Sequence, residues 1–262
     1  VVTTVADDPD DPTRANRIFI LPKTGSNGLY ADGEADAWSA LVNNTYDGQR
    51  PAVNSTKQAN LFVAIPDTND VTVTTYTGAA TTEEPRFSKN VTYPTDALVP
   101  APAVTQAGGD TLDPGPLAFT GVAWRKGNLW AAATVSSGGD AAVRVFGIDT
   151  AAGVALMADE VVGSPGVDWF SPSLAVDGNG TVHLVAQDVG STVGPSVAVF
   201  ARLGADSWTA PRFVATSTAP ADPTTGAGPE TLSTPLVLQA QSTASTKAGA
   251  TVATWAWSRA IR

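Results

Sequence analysis

Cysteine is absent from the 262 residues, which excludes disulfides, thiolate metal sites and a cysteine nucleophile. The single histidine, His183, rules out a multi-histidine zinc site and leaves any Ser–His–Asp triad one imidazole to draw on. No run approaches the roughly 18 consecutive apolar residues that cross a bilayer, and no basic amphipathic segment suggests attachment to a membrane surface. Basic residues are scarce: 15 Lys and Arg stand against 25 Asp and Glu, a net charge of −10. A phosphate backbone is repelled over most of such a surface, so nucleic acid is not expected as a partner, and no membrane span is expected. No glycine pattern of the nucleotide-binding kind leads from a strand into a helix. Charged residues make up only 15% of the chain, low for a helix-rich soluble protein.

What is present reads as strand and turn. Apolar residues reach 43%, with seven Trp and eight Phe, enough for a packed core, and 24 Gly and 19 Pro punctuate short runs of Val, Thr, Ile, Phe and Trp. The class is all-β. Arg17 to Leu21 is a short apolar run closed by Pro22 and the Gly25 to Gly28 turn, with a further strand expected around Trp38. Asn60 to Ile65, a Pro66 to Asp70 turn and the alternating Val71 to Tyr76 make a second strand–turn–strand unit of period two. Phe119 to Trp124, Leu129 to Val135 and Ala142 to Asp149 are three strands in succession. Ser173 to Val176, Thr181 to Ala186, Ser196 to Arg202 and Trp208 to Val214 make a set of four. A fifth unit spans Thr234 to Leu238 and Ala250 to Trp257.

Equivalent strands recur at a spacing that brackets the roughly 40 to 50 residues of one propeller blade. The expectation is one β-propeller-like domain over residues 1–262, with antiparallel blades of about four strands, and a β-sandwich as the alternative. Pro94 to Pro116 and Ser217 to Pro229 are rich in Pro, Gly and Thr and read as surface excursions or spacers. The sequence opens Val1-Val2-Thr3, which leaves room for an upstream signal, pro-segment or further domain.

The stretch from Phe119 to Phe213 carries a resemblance. Leu129-Trp130-Ala131-Ala132-Ala133-Thr134-Val135, Val145-Phe146-Gly147-Ile148-Asp149-Thr150, Phe170-Ser171-Pro172-Ser173-Leu174-Ala175-Val176 and Ser207-Trp208-Thr209-Ala210-Pro211 resemble secreted bacterial β-propeller proteins of sialidase-like architecture, mostly without an assigned activity. The resemblance implies that the chain is the C-terminal part of a larger propeller, or a shortened one. A sialidase-type Asp box reads Ser-x-Asp-x-Gly-x-Thr-Trp. Here Ala175-Val176-Asp177-Gly178-Asn179-Gly180-Thr181-Val182 has one extra residue before its Gly and no Trp. Asp177 is expected to brace its turn by accepting backbone N–H groups. The arginine cluster and tyrosine nucleophile of a catalytic sialidase have no local motif here, so that activity is not implied.

Candidate sites follow from residue type. Asp32-Gly33-Glu34-Ala35-Asp36 sets three carboxylates at alternate positions and Asp7-Asp8-Pro9-Asp10-Asp11 adds four; both read as solvated turn acids or as ligands for Ca²⁺, with Asp32, Glu34 and Asp36 the candidate set. Sequons at Asn43, Asn54, Asn90 and Asn179 are candidate glycosylation sites. Most tryptophans fall in or beside predicted strands and are expected between sheets. Trp169 falls in a predicted loop and is the candidate stacking platform for a sugar, with Asp168 as acceptor of its hydroxyls. His183 alternates with Val182 and Leu184 in a strand and is expected to be structural. Two roles follow. The chain is a secreted, non-catalytic module that binds an extracellular glycan or protein through its loops. Alternatively it is a structural subunit of an extracellular filament or surface assembly that self-associates by strand addition, with Val71 to Tyr76 and Ala250 to Trp257 as edge strands. Glycan hydrolysis ranks third because no carboxylate pair can be nominated.

Overall fold

The computed structural model describes residues 5–6, 17–20, 38–41, 50–54, 60–77, 86–106, 111–151, 155–190, 193–202 and 207–216. Among these there is no helix, and hence none long and apolar enough to cross a membrane. Strands β1 (Val5–Ala6), β2 (Arg17–Ile20) and β3 (Trp38–Leu41) pair antiparallel in a small sheet. Three larger sheets follow in chain order.

The first large sheet has the order β4-β6-β7-β8, from β4 (Arg50–Pro51), β6 (Leu61–Pro66), β7 (Asp70–Thr77) and β8 (Arg86–Pro94). In the second, β11 (Phe119–Arg125), β12 (Asn128–Ser137), β13 (Asp140–Asp149) and β14 (Ala155–Val162) form an antiparallel meander, and β5 (Val53–Asn54) pairs parallel with β11. The third is β15 (Asp168–Val176), β16 (Val182–Gly190), β17 (Val193–Arg202) and β18 (Arg212–Thr216), again a meander. Short strands β9 (Val104–Thr105) and β10 (Thr111–Leu112) pair as a hairpin between the first and second sheets in sequence.

Packing distinguishes the propeller from the sandwich. One face of the second sheet meets the first through Phe62, Val71, Val73 and Tyr93 against Phe119, Trp124, Leu129 and Phe146, with Phe62 and Trp124 stacked at 5.7 Å. Its other face meets the third sheet through Trp130, Ala132, Val143 and Val145 against Trp169, Leu174, Leu184 and Phe200. Ala141 through Ile148 are all buried. A sheet covered on both faces carries near-continuous apolar runs rather than alternation, which is how Leu129 to Val135 and Ala141 to Val145 read. A two-layer sandwich leaves each sheet one open face. Successive meander sheets, stacked in chain order, are the blades of a β-propeller or part of one.

Several expectations change. Val71 to Tyr76 is not an edge strand: β7 lies between β6 and β8, and all six residues are buried. Its threonines mimic a solvated face, but Thr72 Oγ1 and Thr92 Oγ1 lie 2.9 Å apart and Thr74 donates to Asn90 Oδ1 at 2.7 Å. The segment from Pro94 to Pro116 is irregular but no free spacer. Leu98, Val104, Gln106 and Leu112 are buried, and Val104 and Leu112 cluster with Ala141, Phe170 and Val189. The fifth unit, the 217–229 stretch and the proposed edge strand 250–257 lie outside the described residues.

Candidate functional site

The site grows from an irregularity in β15. Strict alternation along Asp168-Trp169-Phe170-Ser171-Pro172-Ser173-Leu174 puts Trp169 and Leu174 on opposite faces. Pro172 has no N–H to give the ladder. Pairing with β16 accordingly runs Phe170↔Gln187 and then skips to Ser173↔Val185. Ser171 takes the left-handed backbone, φ 51°, a conformation that costs a non-glycine residue about 1–3 kcal/mol unless its surroundings hold it. Two threonines of the second sheet do so: Ser171 N–H donates to Thr134 Oγ1 at 3.0 Å, and Thr120 Oγ1 donates to the Pro172 carbonyl. The extra residue resets the phase, and Trp169, Leu174 and Val176 all face the second sheet.

Trp169 is therefore not the exposed platform expected of it. Its side chain is 2% exposed, edge-on to Phe200 at 5.0 Å and stacked beneath Phe213 at 6.3 Å and 29°. The physical reason is the bulge, which turns a stretch that reads as loop into strand and directs the indole inward. Asp168 is also engaged, as its Oδ1 accepts Ala141 N–H at 2.7 Å. Asp140, next to Ala141, returns the contact by accepting Gly166 N–H at 2.9 Å, so two aspartates cross-brace neighbouring sheets at the same end.

Among the described residues, Phe213 on β18 is an aromatic that does reach solvent, 48% exposed. Register places it in a set of side chains on one face. Trp169 lies opposite Asp188, Asp188 opposite Ser196, and Ser196 opposite Thr216, while Ala198, two residues along β17 from Ser196, lies opposite Phe213. Directly opposed residues in an antiparallel pair share a face. A half-open phenyl ring, braced from behind by a buried indole, thus borders a polar row that ends in the exposed Thr216. Asp188 is 4% exposed, and burial raises its carboxyl above the ordinary range.

At the opposite end of β16, Asp177 fulfils the bracing role. Its Oδ1 accepts N–H from Asn179, Gly180 and Thr181 at 2.8, 3.0 and 2.9 Å, and His183 Nε2 lies 3.4 Å from its Oδ2. Burial pushes this carboxyl up, but the Thr181 and Asn179 amides and the His183 ring outweigh it and the net shift is downward.

Of the remaining candidates, Asp32, Glu34, Asp36 and Asn43 lie outside the described residues, as do Asp7 to Asp11. Among the described residues no group of three or more His, Asp or Glu is placed to hold a metal. Asn54 sits in β5, opposite Trp124. Asn90 is exposed on β8 with its Oδ1 occupied by Thr74, and Asn179 is exposed in the Asp177 turn. Phe213 is a candidate that the sequence does not announce. It stood inside a predicted strand, and nothing in Arg212-Phe213-Val214 signals which side chain faces out.

No protein-family model matches the chain, and none of the curated proteins matches it in sequence. Among solved structures it is similar to an α-L-arabinanase of Penicillium chrysogenum complexed with arabinobiose, at 14% identity and TM-score 0.41, covering 78% of this chain and 58% of that one. A hypothetical protein from Leishmania major is similar at 8% identity and TM-score 0.35, covering 77% and 59%. The chain thus spans less than two thirds of the length of both structures, and at these values the likeness carries nothing about what it binds.

Proposed function

We propose that the protein is a secreted, non-catalytic recognition module of β-propeller architecture that binds an extracellular glycan, with Phe213 as its stacking platform. The observation that carries this reading is the Phe213–Trp169 stack: a 48%-exposed ring lying over a buried indole, 6.3 Å between centroids and inclined by 29°. Pre-positioned aromatic faces lose little conformational freedom on binding, and the C–H face of a pyranose or furanose is their natural counterpart. Thr216 supplies a hydroxyl on the same sheet face, and no cation is needed for a neutral sugar.

Support for the non-catalytic part comes from how five of the described carboxylates are used. Asp140, Asp168 and Asp177 accept backbone N–H groups, Asp159 pairs with Arg144 and Glu160 with Arg202. His183 is spent on the Asp177 turn. A glycan array followed by affinity electrophoresis on the positive polysaccharides tests the reading, with retardation expected for the native chain and none for Phe213→Ala.

One observation favours a second reading, that of a self-associating structural subunit. Phe213 and Val214, 48% and 46% exposed, lie on β18, the edge of the third sheet among the described residues, and an apolar edge invites strand addition. Concentration-dependent sedimentation without glycan retardation would favour it.

A further inference from the structure

Trp169 and Asp188 face each other across the β15–β16 ladder, and each carries one buried polar atom with no hydrogen-bonding partner among the described residues, the indole Nε1 and the carboxyl Oδ1. Trp169 is 2% and Asp188 4% exposed. One is a donor only, the other an acceptor in either protonation state. They share a sheet face, because Trp169, Leu184 and Ala186 belong to one core cluster and Asp188 continues the Leu184–Ala186 alternation. Opposed residues of such a pair have Cβ atoms only about 4.5–5.5 Å apart, yet this donor and this acceptor do not bond to each other. Leaving either group unpaired in the interior forfeits its hydration without replacement, and native proteins seldom tolerate two such groups side by side.

We propose that Trp169 Nε1 and Asp188 Oδ1 form a binding site for a single hydroxyl group, which accepts from the indole N–H and donates to the carboxyl oxygen. A hydroxyl is the smallest group that satisfies both atoms at once. Its source is either an internal water, of the kind that commonly bridges buried polar groups, or a hydroxyl of a bound saccharide entering past Phe213. Only the second source depends on the glycan reading; a water occupies the site whether or not a glycan binds.

The test is NMR on the intact chain, following the Trp169 indole N–H resonance, assigned through Trp169→Phe. A cross-peak between this proton and a long-lived water, retained in Asp188→Asn and lost in Asp188→Leu, supports the site with water as occupant. No water cross-peak, but a saturable shift of the same resonance on adding xylo-, gluco- or arabino-oligosaccharides, supports it with a sugar hydroxyl as occupant. The inference is overturned if the native resonance shows neither a water cross-peak nor a saccharide shift, a result that requires no variant to fold. A glycan that binds and is lost in Phe213→Ala, without either signature at Trp169, overturns the hydroxyl site while leaving the proposed function standing.

Discussion

Arg202 on β17 reaches back to Glu160 on β14 of the preceding sheet, its Nη2 2.7 Å from Oε1 and its Nε 3.1 Å from Oε2, and Trp208 Nε1 donates to Oε2 at 2.8 Å. The same guanidinium lies 5.1 Å from the centre of the Trp130 ring, and atoms of that ring fall 2.7 and 2.8 Å from where a Cβ on Gly147 would stand. One charge pair therefore ties β17 to β14 and, through the Trp130 ring, to β12.

Removing one partner leaves the other half-desolvated. Glu160→Ala is expected to lower unfolding stability by roughly 2 kcal/mol, less than the 3–5 of a fully buried pair because Glu160 retains some solvent. Urea denaturation measures it. Arg202→Met, which keeps a side chain over Trp130 and removes the charge, is expected to cost less than Arg202→Ala.

Acid should weaken the fold through Glu160 and Asp177. The Arg202 hydrogen bond, against burial and with help from Trp208, holds Glu160 below its ordinary value, and Asp177 is held down by its turn amides and His183 despite burial. A carboxyl whose folded pKa lies below its unfolded one contributes fully above the unfolded value, and that contribution disappears as pH falls through the folded value. The expected loss therefore sets in below about pH 4.5 and is smaller in Glu160→Gln and Asp177→Asn. Asp188 runs the other way: burial raises it, so its contribution is fully present below its unfolded pKa and is lost as pH rises through its folded one, and Asp188→Asn should flatten that limb. Thermal melts from pH 3 to 8 read both.

Gly121 lies at a close approach of the second and third sheets. A Cβ there would stand 2.7 Å from Leu174 N and 3.1 Å from Ser173 Cα, both backbone atoms. Since nothing flexible can yield, Gly121→Ala should cost about 1–3 kcal/mol by overpacking. Gly147→Ala tests the same idea against a side chain, the Trp130 ring.

Trp169 and Phe213 are in contact and should behave differently. Trp169→Ala removes a buried indole and is expected to cost about 3–5 kcal/mol, whereas Phe213→Ala should change stability by less than about 1.5 kcal/mol, since half its surface is already wet. Calorimetry of the two variants shows whether platform and support are separable.

The inner strands were legible because apolar residues run through them. Leu129 to Val135 and Ala142 to Asp149 need no partner to be recognised, and β12 and β13 fall there. The outer strands were not. Ala155-Leu156-Met157-Ala158-Asp159-Glu160-Val161-Val162 is built largely of good helix formers, yet it forms β14 by pairing along β13, with Asp159 and Glu160 bonded to Arg144 and Arg202. Arg86 to Pro94 is too polar to announce β8, whose role is to cap the threonines of β7. Of the site, the role of Asp177 was readable from a local turn signature. The burial of Trp169 and exposure of Phe213 follow instead from a bulge at Ser171-Pro172 and from cross-strand register, neither of which single-sequence periodicity contains.

The most direct measurement is a calorimetric titration of the native chain and of Phe213→Ala, matched in thermal stability, with the polysaccharide that scores highest on the glycan array. Saturable binding by the native chain that disappears in the variant is the predicted result. Equal binding by both proteins, or no binding of any glycan by the native chain, would contradict the account.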